Sequence, residues 1–187
     1  MKIADFIAAN GRHLEREAGE HLFRQGDEVS SLFLVSRGLL KAYYLSGEGK
    51  ENIKSFILQG DVIGSLAACL GSASCTFSLI CLEPSELIRF SFTELSAAIR
   101  SDAELSAATV DFLLGFGMKK EMREYELLCL SAEERYRRLL QTTPQLFERV
   151  TQNEIARYLG VTPVGLSRIK KRVLDSQAER APAITQR

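Results

Sequence analysis

The segment TQNEIARYLGVTPVGLSRIKKRV, residues 151–173, decides the fold of the C-terminal part of the chain. Thr151 and Glu154 have the spacing of a capping box, in which each side chain satisfies a backbone donor at the start of a helix. Gly160 can adopt the left-handed conformation that ends a helix. A second helix is predicted to begin at once, because Pro163 suits the first helical turn. Two short helices joined by a tight turn that contains glycine form a helix-turn-helix.

The apolar residues of this segment predict how its two helices pack against each other. The inward-facing positions are Ile155, Ala156, Leu159, Leu166, Ile169 and Val173. Ala156 is expected to lie where the two helices come closest, because a larger side chain there would force them apart.

The second helix carries the side chains that we predict to contact double-stranded DNA. They are Thr162, Val164, Ser167, Arg168, Lys170, Lys171 and Arg172. An arginine can donate two hydrogen bonds to guanine O6 and N7 in the major groove, and basic side chains neutralise phosphates. The alternative is an ordinary helical hairpin with a solvated basic face. We favour DNA binding because the capping residues, the glycine turn and the local charge all agree.

The formal charge of the 187-residue chain is zero, but the charge is unevenly distributed. Residues 1–130 carry 13 Lys and Arg against 18 Asp and Glu, a net charge of −5. Residues 131–187 carry 11 Lys and Arg against 6 Asp and Glu, a net charge of +5. A basic minority domain is typical of a protein that binds phosphates. The composition, 45% hydrophobic and 26% charged, excludes a mostly disordered or collagen-like chain.

The N-terminal part of the chain reads as short strands separated by turns. The strand-like segments are HLFRQGDEV (21–29), SSLFLVSRG (30–38), LLKAYYLS (39–46), NIKSFILQGD (52–61) and SELIRFSFTEL (85–95). Their regular spacing predicts an all-β barrel or roll. Residues 62–82 hold no charged residue, which raises the alternative of a transmembrane helix. Their serines and glycines, and the ending TFSLICL, favour a buried strand.

Residues 101–130 are predicted to form a long helix, because their apolar residues mostly recur at helical spacing. The apolar positions are Leu105, Ala108, Phe112, Leu113, Phe116, Met122 and Leu128. This stripe could pack on the β domain of its own chain or against a second copy. We favour pairing with a second copy, because the stripe is long for a linker. A further helix is predicted to follow, since Ser131 and Glu134 form a second capping box and Pro144 ends the pattern.

Cysteine and histidine usage argues against a metal or redox centre. The four cysteines form no CxxC pair, and the only histidines are His13 and His21. Cys75 and Cys81 are six residues apart and would face the same side of one strand, but nothing nearby completes a ligand set. We therefore expect reduced structural thiols in a cytoplasmic protein, although the roles of Cys69 and the other two remain open.

No enzyme is predicted from the motifs of the chain. The signatures GxSxG, HExxH and GxxxxGK are absent from the sequence. A β-roll could instead belong to a cupin-like metalloenzyme, but two histidines are too few for the ligand set that such an enzyme needs. The opening stretch MKIADFIAANGRHLERE lacks an apolar core of signal-peptide length, so secretion is not expected.

Taken together, these segments resemble the Crp/Fnr (cyclic-AMP receptor protein/fumarate–nitrate regulator) superfamily of bacterial transcription regulators over nearly the whole chain. The resemblance rests on TQNEIARYLGVTPVGLSRIKK and on the order GEHLFRQGD, LFLVSRGLLKAYY, FILQGDVIGS. It implies an α+β protein with a cyclic-nucleotide-binding-like, double-stranded β-roll over 1–98, a dimerisation helix over 99–130 and a helix-turn-helix domain over 131–187. The tail DSQAERAPAITQR lacks the alternation of a hairpin, so the wing of the family is predicted to be short or absent.

The resemblance also implies partners. It implies a homodimer through the helix around residues 101–128, a palindromic DNA site and RNA polymerase as a further partner, although no polymerase-contacting patch is evident. Arg168 matches the family's guanine-contacting arginine. Pro163 and Val164 fall where better-studied members have arginine and glutamate, so the base preference should differ. Val164 is then available for a thymine methyl group.

The predicted effector pocket departs from the family pattern. Its residues are Gly64, Ser65, Leu66, Cys75 and Thr76. Ser65 replaces the glutamate that holds the ribose in the family, and Cys75 replaces the arginine that pairs with the cyclic phosphate. No Lys or Arg lies between Lys54 and Arg89 to substitute for that arginine. Because a buried phosphate without a cationic partner carries a large desolvation cost, cyclic AMP is not expected to bind.

No cofactor is predicted either. Oxygen-sensing members hold an iron–sulfur cluster through N-terminal cysteines, and no cysteine precedes Cys69. Cys75 is only a weak candidate for a haem ligand. The leading hypothesis is a dimeric DNA-binding regulator with an unidentified effector, or with a β domain that acts as a scaffold. The alternative is a cyclic-nucleotide-binding-like sensing or scaffold protein with degraded DNA binding.

Overall fold

The computed structural model describes residues 1–180 of the chain and the side chains of residues 1–176. The chain divides into two compact units, the first ending at Lys119 and the second beginning at Lys120. No helix in the described part is long and apolar enough to cross a lipid bilayer.

The first unit contains two antiparallel sheets of four strands each. The strands are β1 (Arg12–Arg16), β2 (His21–Phe23), β3 (Ser31–Arg37), β4 (Leu40–Leu45), β5 (Glu51–Ile57), β6 (Val62–Ile63), β7 (Ser78–Cys81) and β8 (Ser85–Ser91). One sheet has the order β1-β8-β3-β6 and the other has the order β2-β7-β4-β5. The predicted double-stranded β-roll, within a mixed α+β chain, is therefore confirmed.

The core of the roll is built from the inward-facing residues of both sheets. Phe33 and Leu87 of one sheet belong to the same buried cluster as Phe23 and Leu79 of the other. Successive residues of a strand point to opposite faces. Phe90, which lies three residues after Leu87 on β8, accordingly belongs to a second cluster on the other face of its sheet.

Helices cover that second face of the first sheet. They are α1 (Ile3–Asn10), α3 (Phe92–Ser101) and the first part of α4 (Ala103–Cys129). Phe6 of α1, Leu95 of α3 and Leu105 of α4 share one buried cluster with Phe90. The first turns of α4 are thus part of the first unit's own core.

The prediction that residues 62–82 form a buried strand is only partly correct. This stretch contains β6, a short helix α2 (Leu66–Cys69) and β7. The helix forms because residues 66–68, Leu-Ala-Ala, favour helix and the Cys69 N–H donates to the Ser65 carbonyl at 2.9 Å. The placement of Cys75 and Cys81 on one strand is wrong, since β7 begins only at Ser78. Both cysteines are nevertheless buried in the core between the sheets.

The second unit is helical throughout its described part. It contains the end of α4, α5 (Ala132–Thr142), α6 (Leu146–Arg149), α7 (Gln152–Leu159) and α8 (Pro163–Arg180). The sequence analysis missed α6, whose single turn follows Pro144, and it also missed α1 and β1. The prediction of a short or absent wing stays a prediction. Helix α8 continues to Arg180, and the last seven residues of the tail lie outside the described residues.

Candidate functional site

The start of α7 has the predicted capping box. The Thr151 Oγ1 atom accepts a hydrogen bond from the Glu154 N–H at 3.2 Å. In return, the Thr151 N–H donates to the Glu154 carboxylate at 3.0 Å. Ser131 and Glu134 make the same exchange at the start of α5, at 3.3 and 2.8 Å. The capping boxes therefore set the residue at which each of the two helices begins.

The turn between α7 and α8 has the predicted backbone conformation. Gly160 adopts φ 69° and ψ 31°, the left-handed region that residues with a Cβ rarely occupy. The Val161 N–H then donates to the Ala156 carbonyl at 2.9 Å and satisfies a carbonyl at the end of α7. The Thr162 Oγ1 atom accepts from the Gly165 N–H at 3.1 Å and caps α8. The helix-turn-helix is confirmed.

The predicted inward face of this motif is buried. All six side chains lie in the interior of the second unit: Ile155, Ala156, Leu159, Leu166, Ile169 and Val173. Ala156 has no exposed surface at all, which is consistent with the close helix approach that the sequence predicted.

The outward face of α8 carries four of the predicted DNA-contacting side chains. Val164 is 63% exposed. Ser167, Arg168 and Lys171 are also exposed, and helical spacing places them on the same side as Val164. Within residues 1–176, Arg168 and Lys171 make no ion pair or hydrogen bond through their side chains. Both cations are thus available to an external partner.

Two other predicted contacts flank this face and are engaged within the second unit. The Arg172 Nε atom donates to the Glu133 carboxylate at 2.8 Å. The Lys170 Nζ atom donates to the Gln152 Oε1 atom at 3.0 Å. Hydrogen bonds from Arg172 and then from Arg137 lower the pKa of Glu133 below its usual value. These bonds hold the two edges of α8 against α5 and α7.

Arg135 and Arg123, which the sequence analysis did not identify, connect the helix-turn-helix to the rest of the second unit. The Arg135 Nη1 atom donates to the carbonyl of Leu130, at the end of α4, at 2.7 Å. Its Nη2 atom donates to the carbonyl of Leu159, the last residue of α7, at 3.0 Å. The Arg123 guanidinium stacks on the Tyr158 ring at 3.8 Å and donates to the Tyr158 carbonyl. Burial lowers the pKa of Arg123. The only sequence signal was the density of arginines near the start of α5.

The five residues of the predicted effector pocket have different surroundings in the structure. Gly64 and the exposed Leu66 line an apolar cavity of about 260 Å³ together with residues of β6, α3 and α4. Ser65 is 1% exposed, and its Oγ atom has no hydrogen-bond partner in the described part of the structure. Cys75 is buried with its Sγ atom 3.8 Å from the Val29 carbonyl, whereas Thr76 is exposed.

The basic side chains of the second sheet are engaged. The Lys41 Nζ atom forms an ion pair with Glu51 at 2.9 Å, and both side chains are largely buried. The Lys54 Nζ atom lies 4.5 Å from the centre of the Phe77 ring. Neither lysine lies in the segment that holds the predicted pocket.

The thiols give no sign of a reactive or metal-binding centre in the part of the chain that the structure describes. Burial raises the pKa of the Cys69 thiol to about 11, which keeps it protonated at neutral pH. No group of three or more His, Cys, Asp or Glu side chains among the described residues could hold a metal ion.

Comparison with known proteins agrees with this architecture. Residues 13–102 match the cyclic nucleotide-binding domain family. The transcriptional activator protein Anr of Pseudomonas protegens is 28% identical over 185 residues, which cover 90% of this chain and 72% of that protein. The fumarate and nitrate reduction regulatory protein of Vibrio cholerae is 27% identical over 179 residues, which cover 86% and 68% of the two chains.

Two solved structures share the fold. FixK2 from Bradyrhizobium japonicum has a TM-score of 0.77 at 17% identity and covers 89% of this chain and 86% of its own. The Thermus thermophilus catabolite activator protein has a TM-score of 0.55 at 22% identity, with 93% and 83% covered. The chain is thus similar to these regulators in sequence and shares the fold of these two structures.

Two faces of α4 have different surroundings in the structure. Leu105 is buried in the core of its own unit, and Phe112 and Phe116 line the apolar cavity there. A second set of apolar side chains, Leu114, Met118, Tyr125 and Leu128, is exposed and does not line that cavity, whereas Val110 does. The sequence left open whether α4 packs on its own β domain or against a second copy. The buried face does the former, and only the exposed face is available for the latter. The stripe predicted from sequence mixed residues of both, because spacing alone did not show which side meets the β-roll.

We expect Ala156→Leu to destabilise the second unit of the protein. Three added carbon atoms at a fully buried position would overpack the contact between α7 and α8 and cost about 1–3 kcal/mol. Thermal unfolding followed by circular dichroism would show a helical transition at a lower temperature. Asn153→Leu, at an exposed position of the same helix, is the control and should leave this transition unchanged. An unchanged transition in Ala156→Leu would contradict the packing described above.

Proposed function

We propose that the chain is a homodimeric, sequence-specific DNA-binding transcription regulator and that α8 is its recognition helix. The observation that carries the proposal is the exposed face of α8, where Val164, Ser167, Arg168 and Lys171 lie together on a helix fixed by the Gly160 turn. A helix of this kind can enter the major groove of B-DNA. Similarity to the transcriptional activator protein Anr over 90% of the chain supports the proposal.

Each side chain on this face has a chemical role. Arg168, which has no competing carboxylate within the described part, can donate two hydrogen bonds to a guanine. Val164 can contact the methyl group of a thymine, and Ser167 can donate to or accept from a base edge. Lys171 can neutralise a phosphate. Lys170 and Arg172 lie at the edges, where Gln152 and Glu133 hold them, and they contribute to the positive field.

The exposed stripe on α4 supports dimerisation. Leu114 and Met118 lie four residues apart, and Tyr125 and Leu128 continue the line. An apolar stripe of this length on a helix surface is typical of a helix that pairs with another helix. A second copy related by two-fold symmetry would present two α8 helices to a palindromic site.

The first unit is proposed to bind an effector other than cyclic AMP, or to act as a scaffold. Neither Ser65 nor Cys75 can form the ion pair that a buried cyclic phosphate requires. Lys41 is already paired with Glu51. The enclosed positions near α2 are apolar or carry a single hydroxyl, so a less polar effector suits them better than a nucleotide does.

Selection of bound duplexes from a random pool tests the proposed function directly. The full chain is expected to enrich a palindrome whose half-sites are about one helical turn, 34–36 Å, apart. The alternative, a sensing or scaffold protein with degraded DNA binding, predicts no enriched sequence. Enrichment of single half-sites without symmetry would retain DNA binding but contradict the dimer.

Arg168→Ala is expected to weaken binding to the selected duplex by about 1–3 kcal/mol and to relax specificity at one base pair of each half-site. Lys171→Ala is the matched comparison on the same face. It should weaken binding to all sequences alike and reduce the salt dependence by about one phosphate contact. Fluorescence anisotropy with the parent duplex and single-base variants distinguishes the two. A loss in Arg168→Ala that is equal on every sequence would show that Arg168 contacts only a phosphate.

Leu114→Glu is expected to convert the dimer to monomers. Each copy would lose about 1.5–3 kcal/mol of apolar burial, and a charge would enter the contact. The dimer dissociation constant should therefore rise by at least about 100-fold, as measured by light scattering after size exclusion. Leu114→Ala, which keeps the helix but adds no charge, should weaken the dimer far less. An intact dimer in Leu114→Glu would place the interface on another face.

Cyclic AMP is expected not to bind at micromolar concentrations, because the described pocket region offers no free cation to its phosphate. Isothermal titration calorimetry with the full chain measures this. Micromolar or tighter binding would show that the roll uses a cation that the sequence did not reveal.

A further inference from the structure

Two arginines lie directly opposite each other on neighbouring strands of the first sheet. Arg12 on β1 is in register with Arg89 on β8. Residues in this relation project from the same face of a sheet, with Cβ atoms about 4.5–5.5 Å apart. Like charges in this position destabilise a sheet. The pair is therefore costly unless a negative group lies between the two guanidinium groups.

No carboxylate within residues 1–176 forms an ion pair with either arginine. Arg89 donates through Nε to the Ser31 Oγ atom at 2.9 Å, and Arg12 makes no side-chain bond among the described residues. By contrast, Arg37 on the adjacent strand pairs with Glu86 at 2.6 Å. A guanidinium has five N–H donors, so most donors of the opposed pair are available.

The two arginines open into a cavity of about 210 Å³ at the junction of β8 and α3. Ser31, Ser91 and Asn10 also line it and supply hydroxyl and amide groups. The cavity is smaller than the roughly 300–1,000 Å³ of pockets for drug-sized ligands, so it suits a small molecule. The ten-residue helix α3 begins beside it, after Ser91, and its amino end adds partial positive charge.

One wall of the cavity is acidic, and this restricts further the chemical groups that a bound ligand can carry. Glu94 lines the same space, and its side chain has no partner in the described part of the chain. Its carboxylate would repel a bare anion but would accept a hydrogen bond from a hydroxyl or ammonium group. The site thus offers two cationic forks on one side and an acceptor on the other.

We propose that this cavity binds a small organic anion whose phosphate or carboxylate group bridges Arg12 and Arg89. A hydroxyl or ammonium group of the same molecule donates to Glu94. Planar guanidinium groups bind both kinds of anionic group in a bidentate manner, so the shared chemistry is an oxyanion with an adjacent donor. This site is separate from the predicted cyclic-nucleotide position, because none of Gly64, Ser65, Leu66, Cys75 and Thr76 lines it.

Titration of the full chain with glycerol 3-phosphate and with malate, followed by amide NMR shifts, tests this proposal. Saturable shifts are expected at Ser31, Arg89 and Ser91 with at least one of the two ligands, and the better ligand identifies the anionic group. Sulfate, which has no hydroxyl, should bind more weakly because it offers nothing to Glu94. Absence of saturation with both organic ligands at millimolar concentrations overturns the proposal.

Substitutions at the two arginines complete the test. Arg12→Gln and Arg89→Gln should each weaken binding about tenfold or more, whereas Arg100→Gln, an exposed arginine elsewhere on the first unit, should not. Arg89→Lys keeps the charge but not the planar fork, so it should show a partial loss even if Arg89→Gln fails to fold. Equal affinity of all four variants for the organic anion would show that it binds through general electrostatic attraction, and this would overturn the proposal.

The two proposals fail independently. Arg12→Gln should bind the selected duplex normally in the absence of the organic anion, because the arginine lies in the first unit and far in sequence from α8. If the anion does not bind but the palindrome is enriched, only the present inference is lost.

Discussion

One guanidinium group joins the ends of two helices in the second unit. Arg135 donates to the carbonyls of Leu130 and Leu159, which close α4 and α7. The last carbonyls of a helix have no partner within that helix and must be satisfied from outside. Because α7 leads through Gly160 directly into α8, the bonds of Arg135 fix the start of α8 relative to the end of α4. A displacement of the end of α4 would therefore also displace the start of α8.

Helix α4 has one apolar face that is buried in its own unit and another that is exposed. Its beginning is anchored by Leu105 in the core that covers the first sheet. Its later turns expose the apolar side chains of Leu114, Met118, Tyr125 and Leu128.

The placement of cations explains why the first unit should not bind a nucleotide in the family's usual position. The segment from β6 to β7 has no basic residue, and Ser65 and Cys75 leave only a hydroxyl and a thiol. The basic residues Arg12 and Arg89 lie instead on β1 and β8, at the opposite side of the first sheet from β6. A negatively charged ligand is expected to bind where cationic side chains are present, because burying its charge without them carries a large desolvation cost.

Features that depend on neighbouring residues could be predicted from the sequence. The capping boxes, the left-handed Gly160 and the alternation of the strands are local, so the helix-turn-helix and the roll could be predicted. Features that join distant residues became evident only from the folded chain. These are the pairing of Arg172 with Glu133, the bonds of Arg135 and the division of α4 into two faces. Periodicity shows that a helix has an apolar side, but only packing shows which side is covered.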